Sequence, residues 1–269
     1  MSRLSRRFSW LGAATALAIL AGLFLLLYLV IIPWIGEVVA GRISKDWEMS
    51  VGEQMHSAMM ETYEVDQHRT GTINEFYRAT GFNIAYPVKI TVVKDAQLNA
   101  FALPGGFIVV NDGLINRLSS HSELAALLGH EASHISERHS LRNMFRTLSR
   151  KMFLSLIIGN SSGMAAVIVD QADALKGLQY SRRLETEADD HGLELMARHG
   201  IDPHGMLSLM QLLQEETKGK EPSALLSTHP VFEDRISNIR RQIGSISASP
   251  NKQQTLSGIF RSLKQHSSY

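Results

Sequence analysis

The sequence of 269 residues contains no cysteine. This absence excludes disulfide bonds, a cysteine nucleophile and any metal site built from thiolates. A metal ion in this protein would therefore be bound by histidine and carboxylate side chains. The compartment stays open, because an oxidising environment permits disulfides without requiring them.

The chain also has little net charge: 27 Lys and Arg residues stand against 26 Asp and Glu residues, which gives a formal charge of +1. Nucleic-acid binding needs an excess of cationic side chains to neutralise phosphates, so we expect no nucleic-acid partner. A chain of this length with 44% hydrophobic residues can bury one sizeable core and still carry appendages.

Charged residues are missing altogether from residues 11–32, an apolar run long enough to cross a ~30 Å hydrocarbon core as a helix. Residues 1–10 carry three arginines, whereas the residues after the run mix both signs. The positive-inside rule predicts a single-pass inner (cytoplasmic) membrane protein with residues 1–10 in the cytoplasm and a periplasmic, extracytoplasmic main domain. Residues 11–32 would contact the lipid bilayer. The alternative is a cleaved signal peptide with a small-residue site at 38–40, although the run is longer than a usual signal-peptide core.

The stretch from His130 to His134, His-Glu-Ala-Ser-His, predicts a metal-binding helix. Two histidines four residues apart lie about 40° from each other around a helix, so both can face one ion. Residues 123–128 favour helix, and Ser120 supplies a capping hydroxyl at its start. In this pattern Glu131 acts as general base on a metal-activated water. The alternative is a chance match on a polar helix face.

A third ligand is expected downstream, because a catalytic zinc takes three protein ligands and leaves one position for water. Glu185 and Asp189 are four residues apart on a helix predicted over 179–198. One of them can bind the metal while the other orients a ligand histidine. Glu187 points to nearly the opposite side of that helix, so spacing favours Glu185 as the ligand and Glu187 as a solvent-facing residue.

Four blocks of the sequence occur in the order typical of one group of enzymes. They are Asn99-Ala100-Phe101-Ala102-Leu103-Pro104-Gly105-Gly106, the stretch His130–His134, Arg182-x-x-Glu185-x-x-Ala188-Asp189-x-x-Gly192, and His229-Pro230 followed by Arg235. In these blocks the chain resembles the gluzincin zinc metallopeptidases of the HtpX, CAAX prenyl endoprotease, OMA-type and BepA-like group. The resemblance covers residues 88–239, more than half of the chain.

The resemblance implies one zinc ion per subunit, held by three residues: His130, His134 and Glu185. It makes Glu131 the catalytic base, and it makes Asp189 the hydrogen-bond acceptor that fixes a ligand imidazole. His229 would either stabilise the oxyanion or cap the zinc reversibly, and Arg235 would support the loop that carries it.

The first block also has a physical interpretation as a sheet edge beside the metal. An exposed edge strand can hydrogen-bond an extended substrate, and glycines let the chain turn and approach closely. We therefore expect four substrate-binding residues: Asn99, Ala100, Gly105 and Gly106. The alternative is a simple hairpin with no role in binding.

These features together predict an α+β protein: a mainly helical gluzincin fold with a small β-sheet whose edge strand flanks the site, after one transmembrane helix. The peptidase domain is expected over 44–244, followed by a polar tail over 245–269 that is loosely ordered apart from a possible short helix near 256–263. Strands are predicted at 88–93 and 107–110. Helices are predicted over 44–77, with a break at Gly71.

Three further segments have less specific interpretations. The apolar residues 152–169 predict a helical hairpin, which either covers the site, lies at the membrane surface or packs in the core. Arginines at every fourth position from Arg138 to Arg150 indicate a solvated helix face or a contact with anionic headgroups. The remaining histidines, His139 among them, have no partner at ligand spacing and are interpreted as ordinary structural or surface residues.

The predicted function is metal-assisted peptide hydrolysis. By analogy with the family, the substrates would be unfolded or misassembled envelope proteins, in envelope protein quality control. One alternative is a catalytically silent, chaperone-like binder of such proteins, and another is a closed structural zinc site. The complete ligand set next to Glu131 favours an open catalytic site over both.

Overall fold

A computed structural model gives the fold. It describes residues 3–158, 180–216, 225, 228–230, 233–246 and 253–265. The hairpin predicted over 152–169 therefore lies outside the described residues from 159 onward. The chain divides into two compact units, one formed by Met1–Ile43 with Arg142–Val167 and the other by Ser44–Leu141 with Ile168–Tyr269.

Helices predominate in the described residues. They are α1 (Arg3–Leu26), a π-helical turn (Leu27–Ile31), α2 (Ile32–Ala40), α3 (Lys45–Met60), α4 (Gln67–Thr80), α5 (Asp112–Arg117), α6 (His121–Ser136), α7 (His139–Ile158), α8 (Arg182–Arg198), α9 (His204–Glu216), α10 (Glu233–Ser245) and α11 (Gln253–Gln265). The strands are β1 (Lys89–Val93), β2 (Ala100–Leu103) and β3 (Phe107–Asn111).

The first unit contains one long apolar helix, in which α1 continues through the π-helical turn into α2. Its residues Gly12–Ala40 are long and apolar enough to cross a membrane. The π-helical turn lies just before Pro33, which has no N–H to donate to the Leu29 carbonyl four residues earlier. The guanidinium of Arg150, on α7, donates to that carbonyl at 3.3 Å. An arginine of α7 therefore supplies a side-chain donor to a backbone carbonyl of this turn.

The second unit contains a three-stranded sheet with the order β1-β3-β2. Strand β1 pairs with β3 in parallel, with Ile90 opposite Ile108. Strand β2 pairs with β3 antiparallel, with Ala102 opposite Ile108, so β2 is an edge strand. The prediction of a mainly helical fold with a small sheet, and an edge strand in the first sequence block, is confirmed.

The helix break predicted at Gly71 is wrong. Gly71 lies inside α4, and the interruption between α3 and α4 comes earlier, at 61–66. The Asp66 carboxylate accepts a hydrogen bond from the Arg69 backbone N–H at 2.9 Å and so caps the start of α4. The start of α4 is therefore set by the capping Asp66, and Gly71 does not interrupt the helix.

The C-terminal segment also differs from the prediction of a loose tail. A possible short helix was expected there, and the structure has α11, which runs over 13 residues and buries three apolar side chains in the core: Leu256, Phe260 and Leu263. The Lys264 ammonium donates to the carbonyls of Asn116 and Leu118 at 2.6 and 2.9 Å, where α5 ends. The folded unit therefore extends past residue 244.

Two helices, α6 and α8, cross closely in the centre of this unit. The residues of α6 from Glu123 to Ile135 are all buried. The crossing brings two glycines together, since a Cβ added at Gly192 would lie 3.3 Å from the His130 backbone nitrogen and 3.4 Å from the Gly129 carbonyl carbon. Because neither glycine has a side chain, the two backbones can approach closely next to the first predicted ligand.

Candidate metal centre

Helix α6 carries the two predicted histidine ligands on one face. The Nε2 atoms of His130 and His134 are 3.1 Å apart. Both rings are buried, and so is Glu131 between them in the sequence. The Ser120 hydroxyl accepts from the Glu123 N–H at 3.2 Å and starts this helix as its sequence predicts.

Helix α8 brings Glu185 to the same point. Its Oε1 lies 3.5 Å from His134 Nε2, and its Oε2 lies 3.6 Å from His130 Nε2. Glu185 is fully buried, whereas Glu187 is 31% exposed and lies near His139 and Arg183. The structure thus places Glu185, and not Glu187, beside the two histidines.

The three side chains have the spacing that a tetrahedral metal ion requires. Ligand atoms about 2.0–2.1 Å from a zinc ion at tetrahedral angles lie about 3.3 Å from one another. The observed separations of 3.1, 3.5 and 3.6 Å are close to this value, and the last two are measured to different oxygens of Glu185, Oε1 to His134 and Oε2 to His130. Two imidazoles and a carboxylate are also the donor set of many catalytic zinc sites. The residues present therefore fit a metal ion.

His229 lies within the same cluster. Its Nδ1 is 3.0 Å from Glu185 Oε1 and 3.3 Å from His130 Nε2, and its Nε2 is 3.8 Å from Glu131 Oε1. The ligand atoms of these four residues all fall within 4.8 Å of one another, and all four are buried: His130, His134, Glu185 and His229. In this conformation His229 stands where a fourth ligand would, next to Glu131.

Asp189 and Arg235 contact the clustered residues His130 and Glu185. Asp189 Oδ1 lies 3.0 Å from His130 Nδ1, the nitrogen that faces away from the metal position. The Arg235 guanidinium donates to both oxygens of Asp189 at 2.7 Å and lies 2.7 Å from Glu185 Oε2. It also donates to the Pro230 carbonyl at 2.8 Å, next to His229. One buried arginine therefore connects α8 to the segment that carries His229.

The buried charges of the site shift one another's pKa values. Burial raises the pKa of Glu131, and the charges of His229 and His130 offset this only in part. Burial also opposes ionisation of Glu185, but His229 and Arg235 outweigh it and hold the pKa of Glu185 well below its usual range. Burial lowers the pKa of His134 well below its ordinary value, which keeps its imidazole neutral and able to bind a metal.

Two aromatic residues that the sequence did not single out contact His134. His139 Nδ1 lies 3.0 Å from His134 Nδ1, and the Tyr180 ring stacks on His134 at 4.2 Å between centroids. The signal for His139 was its position five residues after His134, one step beyond the spacing of a shared helix face. Tyr180 gave no local signal, because it reaches the site only through the tertiary fold.

The edge strand β2 approaches the site at Ala102. Because the Asn111 N–H donates to the Asn99 carbonyl, strand alternation turns the backbone groups of Ala100 and Ala102 away from β3. The Ala102 amide lies beside the Glu131 carboxylate and favours its ionised form. The Ala102 carbonyl accepts from the Ser140 hydroxyl at 2.7 Å.

One step earlier on the same edge, the Leu98 carbonyl accepts from the Leu225 N–H at 3.1 Å. Of the outward carbonyls of Leu98, Ala100 and Ala102, the first and the last thus already have partners. Asn99 and Ala100 are themselves buried.

Gly105 and Gly106 occupy a buried turn behind this edge. Both have positive φ, 80° and 112°. A Cβ at Gly105 would lie 2.6 Å from the Met49 Cα, and one at Gly106 would lie 2.2 Å from the Pro87 carbonyl oxygen. Close packing against neighbouring backbone therefore explains both glycines, and their role in substrate binding stays a prediction.

Comparisons with known proteins agree with this geometry. The sequence profile of Peptidase family M48 matches residues 66–243. The chain is 29% identical over 237 residues to a beta-barrel assembly-enhancing protease of Yersinia pestis. The aligned region covers 82% of this chain and 49% of the relative. It is 27% identical over 247 residues to the mitochondrial metalloendopeptidase OMA1 of Schizosaccharomyces pombe, which covers 87% of this chain and 72% of the relative.

A third relative is the metalloprotease YcaL of Escherichia coli, 30% identical over 173 residues, which covers 62% of this chain and 67% of the relative. The chain spans about half the length of the beta-barrel assembly-enhancing proteases of Vibrio cholerae and Yersinia pestis that it matches.

Proposed function

Because the chain belongs to peptidase family M48, we propose that it is a membrane-anchored, zinc-dependent endopeptidase that cleaves unfolded or misassembled envelope proteins. One observation carries this proposal: His130, His134 and Glu185 converge at ligand spacing directly beside the buried carboxylate of Glu131. Peptide hydrolysis needs both parts, an ion that activates water and a base that takes its proton.

A bound zinc ion supplies a Lewis acid that lowers the pKa of water towards ~7 and polarises a carbonyl group. The chain itself keeps the ligand side chains in the orientation and protonation state that metal binding requires. Asp189 accepts from His130 Nδ1–H and so leaves Nε2 free to bind, while Arg235 keeps Asp189 and Glu185 ionised.

Glu131 moves the protons of the reaction. Burial raises its pKa towards the range in which a carboxylate can accept a proton and then release it. It takes a proton from the attacking water and passes it to the departing amine. His229, 3.8 Å from Glu131 through Nε2, can stabilise the oxyanion once it has left the position of a fourth ligand.

The proposed substrate edge is the start of β2 at Ala100, together with Asn99 just before it. An extended peptide that adds to this edge would use the outward backbone groups of Ala100. It would also displace the Leu225 N–H from the Leu98 carbonyl. Since Leu225 and His229 are four residues apart, release of the edge and release of His229 are expected together.

The anchor and the relatives support the rest of the proposal. Residues 11–32 would hold the protein in the inner membrane, with the main domain on the extracytoplasmic side as the flanking charges predict. The relatives named as beta-barrel assembly-enhancing proteases support envelope proteins as the substrate class.

Casein cleavage by the purified full chain tests the activity. We expect cleavage that a zinc chelator abolishes and that added Zn²⁺ restores. The Glu131→Gln chain, purified in parallel, controls for a contaminating protease. An unaffected digestion in the presence of chelator would contradict a metal-dependent mechanism, and no digestion by the zinc-loaded chain would leave a binding protein as the better interpretation.

A further inference from the structure

The C-terminal half of α7 runs antiparallel along the long N-terminal helix within the first unit. Arg146 lies 3.4 Å from Glu37, Arg150 donates to the Leu29 carbonyl, and the Phe153 ring lies 5.9 Å from that of Phe24 between centroids. As the residue numbers rise along α7, they fall along its neighbour. A second aromatic contact, from Phe153 to Tyr28 at 6.3 Å, belongs to the same register.

This register places Phe153 beside the apolar run itself. Phe24 lies eight residues before Ile32, the end of the run, which corresponds to about 12 Å along a helix. If residues 11–32 span the bilayer, Phe153 therefore sits below the level of the headgroups. The residues that follow it on α7 continue in the same direction, deeper into the hydrocarbon region.

The outer face of this part of α7 is apolar and uncovered. Met152 is 43% exposed and Ile157 is 56% exposed, which falls within the range of the exposed apolar residues of the run, from 39% for Ile31 to 69% for Leu17. A helix satisfies its own backbone groups and can therefore enter hydrocarbon beside another helix. Lipid acyl chains would cover these side chains as they cover those of the anchor.

The charges on α7 agree with this depth. Arg142, Arg146 and Arg150 all precede the apolar part, and the Glu37 partner of Arg146 lies just beyond the apolar run. Cations at this level can contact anionic headgroups. Arg150 also donates to the Leu29 carbonyl, at the point where the two helices enter the apolar region.

We propose that residues 152–158 form a second lipid-embedded segment, which lies against the anchor and contacts acyl chains through Met152 and Ile157. The proposal rests on the proposed anchoring by residues 11–32. It adds a contact with the bilayer that the length and composition of the first helix do not predict.

The absence of cysteine allows a direct test with single-cysteine variants. Leu20→Cys, Met152→Cys, Ile157→Cys and the exposed control Glu75→Cys are each labelled with an environment-sensitive fluorophore. The full chains are reconstituted in phosphatidylethanolamine–phosphatidylglycerol vesicles with or without acyl-chain spin-labelled lipid. We expect the probes at 20, 152 and 157 to be blue-shifted and quenched by the spin label, and the probe at 75 to be unaffected.

The outcomes test the lipid-embedded segment 152–158 separately from membrane anchoring by residues 11–32. A quenched probe at 20 with unquenched probes at 152 and 157 would overturn the second segment and leave the anchor intact. An unquenched probe at 20 would overturn the anchor itself. Two positions on α7 guard against a local effect of either substitution.

A different observation, at the metal centre, assigns a role to His139. For His134 to bind a metal through Nε2, its Nδ1 must carry the hydrogen and donate it. His139 Nδ1, 3.0 Å away, is then the acceptor, so the hydrogen of His139 must be on its Nε2. That nitrogen lies 3.4 Å from Glu187 Oε2.

We infer that His139 and Glu187 are positioning residues that fix the tautomer and ring orientation of His134. The two ligand histidines are then oriented in different ways: Asp189 contacts His130 directly, whereas Glu187 acts on His134 through a second imidazole. His139 is fully buried, and Tyr180 holds the other face of the His134 ring.

Zinc affinity, measured by competition with a chelator, tests this inference. In His139→Asn the amide oxygen can take the place of Nδ1 as acceptor, whereas His139→Leu has none. We expect His139→Leu to bind zinc about 10- to 100-fold more weakly and His139→Asn to recover most of that loss. The zinc affinities of Glu187→Gln and Glu187→Leu are compared in the same way, because glutamine keeps an acceptor oxygen at this position and leucine does not.

The thermal stability of the metal-free variants is measured beside their affinity. Equal zinc affinity of His139→Leu and the unmodified chain, or an equal loss in His139→Asn and His139→Leu, would overturn the positioning role. An unmodified chain that binds no zinc would instead contradict the proposed function on which this inference rests.

Discussion

We expect the replacement of Glu131 by glutamine to abolish peptide cleavage and to leave metal binding intact. Glutamine keeps the size and shape of the buried side chain but cannot take a proton from water. General acid–base catalysis contributes about 10²- to 10⁴-fold to a rate, so we expect kcat to fall by at least that range. The measurement is casein cleavage together with the metal content of the same preparation.

A matched control lies on the same helix. Glu123 is also buried on α6, but it accepts from the Ser119 N–H at the start of the helix, away from the metal centre. The substitution Glu123→Gln keeps an acceptor there and should leave cleavage unchanged. A Glu131→Gln chain that still cleaves casein at the normal rate would remove Glu131 from the mechanism.

Replacing Glu185 by alanine is expected to empty the metal centre. The change removes one of three ligands and leaves the buried charges of Arg235 and His229 without the carboxylate that they contact. Mutation of a residue that only orients a ligand lowers metal affinity about 10- to 100-fold, so the loss of a ligand itself should lower the affinity by more than that. His130→Ala and His134→Ala should have the same effect. The measurement is zinc per chain by elemental analysis.

The corresponding variant of Glu187 is the control for ligand identity. Glu187→Ala should keep one metal ion per chain at saturating zinc, with the lower affinity expected from its contact with His139. If Glu185→Ala kept its metal while Glu187→Ala lost it, the assignment of the third ligand would be wrong. Casein cleavage should follow zinc content in both variants.

The sequence predicted those parts of the fold and site that depend on local rules. Helical phase alone separates Glu185 from Glu187, because residues two apart on a helix face different directions. The alternation of β-branched residues predicted β1 in the same way. The capping hydroxyl of Ser120 marked the start of α6.

What the sequence did not predict depends on tertiary contacts. The sequence indicated only a possible short helix near 256–263, because α11 holds three buried apolar residues in a polar segment; α4 and the core supply the surface that stabilises the longer helix. His139 begins a new helix after Arg138, whose φ is 58°, so its approach to His134 follows from a sharp turn between helices. The distances among the four clustered side chains likewise follow from the packing of α6 on α8.

The glycine pair at the crossing of α6 and α8 lets the two helices pack closely. The predicted ligands His130 and Glu185 belong to different helices, so their separation changes whenever the distance between the two axes changes. A methyl group at Gly192 would press on the His130 backbone nitrogen at 3.3 Å and push the helices apart. Gly192 therefore helps to set the separation of His130 and Glu185, although it is not itself a predicted ligand.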